Sequence, residues 1–337
     1  MNESPNQPAV PGSPLPSLEL IIPVFNEEAV LPALFERFAS VLSPAALHQA
    51  RLSHVHFLFI DDGSSDQTAP IVAARIRSGW PGTLIRLSRN FGHQSALTAG
   101  LDHADGDLVA ILDSDLQDPP ELILDMVSRI HEGYDVVYGE RRSRTEPWFK
   151  KAAYWIFYRF YRLVSEVPVP MDAGDFCLMK REVVVALRQL PEKLRFHRGL
   201  RSWVGFRQTA LPYDRPGRRA GRSKYKLSSL YALATNGIAS LSIRPIQITQ
   251  GVLFISLILM TGSIGIAVLK MPHSDVSYPV LRSLLITQML VAITASLNII
   301  SLYVLGAYIG RTYLEVKARP PYIIVETIGA TAQSERQ

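Results

Sequence analysis

Two charge-free apolar runs in the last third of this chain constrain it more than any other feature. Residues from about Ile246 to Leu269, and from about Ser283 to Ile309, contain no Asp, Glu, Lys or Arg. Each exceeds the roughly 20 residues that an α-helix needs to cross a bilayer core at ~1.5 Å per residue. A buried helix of a soluble protein is the competing reading, and two runs of this length weigh against it. Arg244 precedes the first run, and Arg311, Lys317 and Arg319 follow the second. The loop between them carries Lys270 and Arg282 against Asp275. That bias favours a hairpin with both ends on the cytoplasmic side. Residues 1–17 hold five prolines and no apolar stretch, so they are expected to be a disordered tail and not a secretory signal.

The remaining two thirds read as a soluble α/β protein. At 337 residues the chain has room for one large domain and an appendage. A single cysteine, Cys177, rules out an internal disulfide. Short apolar runs at Leu18 to Val24, Val55 to Ile60, Thr83 to Leu87, Leu108 to Leu112 and Asp135 to Tyr138 predict strands. Helical patterns at Ala29 to Leu42, Gln94 to His103 and Pro120 to His131 lie between them. Strand and helix alternating at this spacing predict a mostly parallel sheet with helices on both faces. In such sheets ligands bind beyond the carboxyl ends of the strands. Here the first four strands all run into polar or acidic loops.

Those loops carry the chemistry. Asp113-Ser114-Asp115 follows the fourth strand, with Gln117 as a third oxygen ligand. Mg²⁺ or Mn²⁺ held by so few carboxylates keeps room for substrate phosphates and acts on them as a Lewis acid. Asp61 and Asp62 end the second strand, where they either hydrogen-bond a nucleobase or ribose or cap the next helix, a role open to Asp66 as well. Pro23, Phe25 and Glu27 form a neighbouring lip, with Phe25 suited to pack on a flat base. Neither GxxxxGK[ST] nor GxGxxG occurs, so a P-loop and a typical dinucleotide fold are excluded. Asp214 to Lys226 holds six basic residues against one acid. It is either a patch drawn to anionic lipids or a mobile loop that brings Arg218 and Lys224 onto substrate phosphates. Two apolar spans beside it argue against nucleic-acid binding. Residues 226–242 have helical periodicity, in a helix along the membrane interface or packed on the soluble domain.

In order along the chain, PVFNEE, DDGSSDQT, RNFGHQSALTAGLDHADGD, DSDLQDPPE, DVVYGERRSR, DAGDFCLM, RGLRSWVGF and GRSKY closely resemble the polyisoprenyl-phosphate glycosyltransferases. That group, within glycosyltransferase family 2, includes dolichol-phosphate mannose synthases and bacterial undecaprenyl-phosphate sugar transferases. The resemblance runs from about Leu18 to Ile328, and the two-span tail is most like the bacterial branch. It implies a GT-A catalytic domain at 18–225, two transmembrane helices within 243–310 and a cytoplasmic segment at 311–337. It also implies a multi-pass protein of the cell inner membrane with its catalytic domain cytoplasmic, and a homotetramer.

The implied reaction is an inverting transfer of a hexose from a nucleotide sugar, UDP-glucose ahead of GDP-mannose, to a polyprenyl phosphate. Pro23, Phe25, Glu27, Ile60 and Asp62 are then expected to hold the nucleotide, with Asp113, Ser114 and Asp115 completing the donor site. Asp113, Asp115 and Gln117 are expected to bind the metal, and Arg141, Arg218 and Lys224 to contact phosphates. Asp115 and Asp175 are the expected catalytic carboxylates, Asp175 either as a base or to orient the acceptor. The sequence departs from the family at Phe25, where tyrosine is frequent, and at Cys177, where the bacterial members carry arginine. A processive polysaccharide synthase would need a QxxRW motif and further spans, and neither is present. A non-catalytic membrane scaffold is disfavoured by the intact Asp113, Asp115 and Gln117.

Overall fold

The computed structural model describes residues 14–141, 173–214, 242–270 and 278–329, which fall into two compact units. One comprises 14–141, 173–214 and 320–329, and the other 242–270 and 278–319. Most of the proline-rich tail, the basic loop with Arg218 and Lys224, and the expected helix at 226–242 apart from Ser242 lie outside the described residues.

The first unit is built on one eight-stranded sheet, ordered β7-β5-β6-β4-β1-β2-β3-β8. Its strands are β1 (Leu18–Val24), β2 (Val55–Asp61), β3 (Gly82–Leu87), β4 (Leu108–Ile111), β5 (Val136–Arg141), β6 (Ala173–Lys180), β7 (Gln208–Tyr213) and β8 (Ile324–Ile328). Strands β3, β2, β1 and β4 run parallel, as do β5 and β7, so four of the seven pairings are parallel. This is the GT-A-like α/β arrangement that the motifs imply. Every residue of β1 is buried, which explains its near-continuous apolar sequence: a central parallel strand is covered on both faces. The exception, Glu19, accepts the Asp105 and Gly106 N–H groups through one oxygen at 2.5 and 2.8 Å.

Helices α1 (Leu31–Val41), α2 (Pro44–Gln49), α3 (Thr68–Arg77), α4 (His93–His103), α5 (Leu122–His131), α6 (Arg181–Gln189) and α7 (His197–Trp203) complete this unit. One layer of the core is aromatic, Phe35, Phe38, Phe57 and Phe59 with Trp80 at its margin. Helix α4 lies so close to β1 that a Cβ on Gly100 would sit 2.3 Å from Ile21 Cγ2. That contact fixes how the amino end of α4 meets the ends of the strands.

The expected fifth strand is present, but it does not adjoin β4. Strand β6 lies antiparallel between β4 and β5. Its amino end is therefore level with the carboxyl ends of β4 and β5, which brings a late part of the sequence to the functional edge.

The second unit consists of α8 (Arg244–Lys270) and α9 (Tyr278–Val316), of 27 and 39 residues. The windows Arg244–Gly265 and Leu284–Val316 have mean hydropathies of 1.7 and 2.0, long and apolar enough to cross a membrane. Large side chains such as Phe254, Leu257, Met289 and Ile299 are exposed, whereas Ser256, Ser263, Thr294 and Ser301 are buried. Small residues seven apart on each helix let the backbones approach, as in membrane helix pairs. Ser263, Thr294 and Ser301 donate their hydroxyls to carbonyls one turn back, whereas Ser256 Oγ is buried with no hydrogen-bond partner among the described residues. Helix α9 extends beyond the expected span at both ends, starting at Tyr278 and continuing through Arg311 to Val316.

Candidate active site

The loops beyond β1, β2 and β3 are stitched into one rim by their own polar side chains. Asn26 N donates to Ser64 Oγ at 3.0 Å, and Asn26 Oδ1 accepts Ser65 N at 2.8 Å. Glu27 N donates to Thr68 Oγ1 at 2.8 Å, and Glu28 Oε2 accepts Gln67 N at 2.9 Å. Asp66 Oδ1 accepts Thr68 N at 2.9 Å, meeting the first N–H of α3 from one residue before its N-cap, Gln67. Asn26 takes a positive φ of 53°, a conformation asparagine tolerates better than most residues.

The two aspartates after β2 have separate tasks. Asp61 is fully buried, accepts Ser64 N at 3.0 Å and pairs with Arg86 Nε at 3.4 Å. Asp62 grips the loop after β3, its oxygens accepting Phe91 N at 2.7 Å and Gly92 N at 2.9 Å. Burial pushes the Asp62 carboxyl up, while those two N–H groups oppose the shift. Pro23 and Ile60 face each other in register inside the sheet, and Ile60 has no exposed surface. The side chain of Ile60 thus supports the rim from below and has no surface to offer a ligand. Phe25 and Glu27 are partly exposed at its lip.

Beyond β4 the loop mixes buried and partly exposed residues. Asp113, Asp115 and Gln117 are partly exposed, while Ser114 and Asp118 between and after them are buried. All three expected metal ligands are therefore accessible. Gln117 N donates to Asp115 Oδ1 at 3.1 Å, and Leu116 has a φ of 56°. A leucine in the left-handed region carries strain of the kind concentrated at functional loops. Asp118 accepts the Tyr213 hydroxyl, and Tyr213 OH in turn accepts Arg141 Nε at 3.5 Å. Arg141 also passes over Gly174, where a Cβ would be 3.1 Å from Arg141 Nη2.

Extending the β4–β6 register (Ile111 opposite Cys177) by two residues sets Asp113 opposite Asp175. Between them stands His93, the first residue of α4, with Nε2 3.3 Å from Asp175 Oδ2 and 3.8 Å from Asp113 Oδ1. Gln94 Nε2 and Arg198 Nη2 approach the same Asp175 oxygen at 3.2 and 3.5 Å. Among the described residues Asp175 Oδ1 is buried and has no hydrogen-bond partner. Burial disfavours the Asp175 anion, but Arg198 and His93 outweigh it and hold the carboxyl well below the usual carboxylate range. Burial also works against a charged His93, yet the Asp175 hydrogen bond and the charges of Asp113 and Asp175 hold its imidazole up at about 9. Solvent reaches 41% of that ring, which screens part of the effect.

Asp113 has the opposite character. Burial pushes its carboxyl up, His93 opposes, and the carboxylates of Asp118, Asp175 and Asp115 add to the rise. Such crowding of like charge is relieved by a cation, so the donor set fits Mg²⁺ or Mn²⁺. Among the described residues no three His, Cys, Asp or Glu side chains form a closed metal cage. Two carboxylates and an amide, open to substrate oxygens, are the form that Mg²⁺ sites take.

The structure thus gathers Asp113, Asp115, Gln117, Asp175 and Arg141 at one edge beside the rim of Phe25, Glu27 and Asp62. Sequence reasoning missed His93, Gln94, Arg198 and Arg86. The RNFGHQ and RGLR segments signalled His93, Gln94 and Arg198 only as parts of motifs, and Arg86, inside β3, fell in no motif at all. A separate cavity of about 440 Å³ lies away from this edge, lined by Asp102, Arg188, Arg195, Pro321 and Tyr322 among others.

Comparisons with known proteins bear on the chain as a whole. The model of the family described as glycosyl transferase family 2 matches residues 19–188. An uncharacterized glycosyltransferase of Synechocystis is 39% identical over 93% of this chain and 96% of its own length. A prophage-derived bactoprenol glucosyl transferase of Shigella flexneri is 37% identical, covering 91% of this chain and 97% of that relative. A prophage bactoprenol glucosyl transferase homologue of Escherichia coli is 36% identical over 91% and 98%.

Proposed function

The chain belongs to glycosyl transferase family 2, and from that premise we propose that it moves glucose from UDP-glucose to a polyprenyl phosphate of the bactoprenol class. The product is a polyprenyl-monophosphate-sugar with inverted configuration at the sugar carbon, formed at the cytoplasmic face of the inner membrane. The observation that carries this reading is the near-complete overlap with bactoprenol glucosyl transferases, apolar helices included. The hairpin α8–α9 keeps the chain at the surface where such an acceptor resides, with both ends of the chain cytoplasmic.

In this reading Phe25, Glu27 and the Asp62-held rim receive the nucleotide. A divalent cation on Asp113, Asp115 and Gln117 would supply positive charge for the departing nucleoside diphosphate. The attacking group is a phosphate oxygen, already anionic at neutral pH, so no strong base is required. That suits Asp175, whose lowered pKa makes it a poor proton acceptor. Its role is to orient: it fixes His93 and Arg198, and those cations with Arg141 face an incoming phosphate with positive charge. Arg218 and Lys224, in the basic loop, extend the same field toward donor and acceptor phosphates. Most of the acceleration then comes from holding two anionic substrates in line.

The test is a donor screen on purified full-length protein with Mn²⁺ or Mg²⁺, undecaprenyl phosphate and labelled UDP-glucose, UDP-galactose or GDP-mannose. Glucosyl-phosphoryl-undecaprenol should be the main lipid product. A preference for GDP-mannose would replace the donor assignment, and the absence of any lipid-linked product would overturn the reading.

A further inference from the structure

The stretch from Pro320 to Gly329 follows α9 in the chain yet belongs to the catalytic unit, and four links tie it there. Tyr322 OH donates to Asp102 Oδ2 on α4 at 3.0 Å. Ser88 N, at the head of the loop after β3, donates to Ile323 O at 2.8 Å. Strand β8 pairs antiparallel with β3. Glu326 Oε2 accepts Arg86 Nη1 at 2.5 Å.

An ion pair with side chains 38% and 41% exposed normally contributes little. What differs here is the other end of Arg86. Its Nε lies 3.4 Å from Asp61 Oδ2, and the Asp61 side chain is fully buried. The other Asp61 oxygen accepts Ser64 N at 3.0 Å, and Ser64 Oγ accepts Asn26 N at 3.0 Å. One guanidinium therefore joins a carboxylate on the last strand to the loop between β2 and α3. A buried carboxylate needs a counter-charge in fixed geometry, and an arginine side chain is long and loses much rotamer freedom when fixed. Glu326 holds it in place. Ile323 O pins the neighbouring loop at Ser88, and Asp62 clamps that same loop at Phe91 and Gly92. Both loops of the nucleotide rim thus have a link to the segment 323–326 that follows the apolar hairpin.

We propose that Glu326 is a positioning residue for the nucleotide donor, acting through Arg86 and Asp61 on residues 61–66. The inference rests on the donor reading given above. A strand that merely covered the sheet edge would alter stability and leave donor affinity alone.

The experiment compares wild type, Glu326→Ala, Glu326→Gln and Arg86→Lys in the full-length protein in detergent. It measures UDP binding by calorimetry, KM for each substrate, kcat, and amide exchange at 61–66. Losing this restraint is expected to weaken UDP binding and raise donor KM about tenfold, equivalent to about 1.4 kcal/mol. Acceptor KM and kcat should stay within about twofold, a factor worth ~0.4 kcal/mol, and exchange should quicken locally at 61–66. Glu326→Gln keeps the reach and the acceptor oxygen, so it should fall between. It carries the comparison if Glu326→Ala does not fold. UDP affinity unchanged in Glu326→Ala, beside a wild type that binds UDP, would overturn this inference alone. A wild type that binds no UDP would overturn the donor reading on which it rests.

Discussion

Gly63 offers a test in which backbone geometry and packing point in opposite directions. Gly63, Gly79 and Gly92 have φ values of +70°, +96° and +97°. Left-handed backbone open to other residues centres near φ of about +57°. Dihedral strain alone therefore makes Gly63→Ala the mildest of the three alanine substitutions, at about 1–2 kcal/mol. Packing reverses that order. A Cβ at 79 or 92 meets nothing within 4 Å, but at 63 it lies 2.4 Å from Arg89 C, 2.7 Å from Asn90 N and 2.8 Å from Arg89 Cα. These are main-chain atoms and cannot rotate aside, so the loop after β3 must retreat by about 1 Å to reach ordinary contact. The same loop is held by Asp62 through Phe91 N at 2.7 Å and Gly92 N at 2.9 Å. A 1 Å retreat weakens both bonds, each contributing about 1.5–3 kcal/mol with a charged acceptor. Displacement of a substrate-positioning loop by about 1 Å can cost about 100-fold in rate. Gly63→Ala should thus lower kcat/KM for the donor about 100-fold, measured by labelled sugar transfer. Gly79→Ala should shift the unfolding midpoint modestly and leave donor kinetics within severalfold. If Gly63→Ala proved as mild as Gly79→Ala in both assays, the interlocked-rim argument would be refuted.

Two further outcomes are expected. Asp115→Ala should cut transfer by about 1,000-fold or more, as the loss of several kcal/mol of charge stabilisation implies. The protein should remain in the membrane fraction, and retained activity would remove Asp115 from the metal set. His197 tests pH dependence: it is buried, and its Nε2 lies 3.1 Å from Gln94 O, which can only accept. Nε2 therefore carries the proton, and Nδ1 has no hydrogen-bond partner among the described residues. Burial lowers its pKa from 6.5 to about 4. The unfolded chain then binds the extra proton first, so stability falls as pH drops from about 6.5 toward 4 and is regained as pH rises. Between pH 7 and pH 5 the loss is about 2 kcal/mol. His197→Gln should remove this contribution from the difference in stability between those two pH values, and an unchanged pH dependence in that variant would contradict the assignment.

Strands β1 to β4 were legible because each satisfies a local rule. Parallel strands buried on both faces need near-continuous apolar runs, and Leu18–Val24 and Val55–Asp61 supply them, with Glu19 and His56 the internal exceptions, between polar turns. Asp113, Asp115 and Gln117 were legible for a related reason: an acidic pair after a buried strand is a local pattern. Strand β6 obeys no such rule. Its sequence, AGDFCLMK, carries glycine and aspartate within its first three residues, and its place between β4 and β5 is fixed by pairing with distant residues. The setting of Asp175 was hidden with it. His93 and Arg198 lie in the chain 82 residues before and 23 residues after Asp175, and no spacing announces that they meet. The departure at Cys177 is explained in part, since that side chain is buried in β6.

The position of β8 also sets an order of synthesis. A chain emerges amino end first, so β1 to β7 are made while the outer edge of β3 is still bare. The strand that covers it comes only after α8 and α9. Until then GTLIRL presents unpaired N–H and C=O groups, the kind of edge on which aggregates are templated. Both apolar helices must therefore be produced, and be in need of shelter themselves, before the sheet can close. A chain cut ahead of α8 would not be a soluble version of this catalytic unit. It would be a sheet short of its last strand.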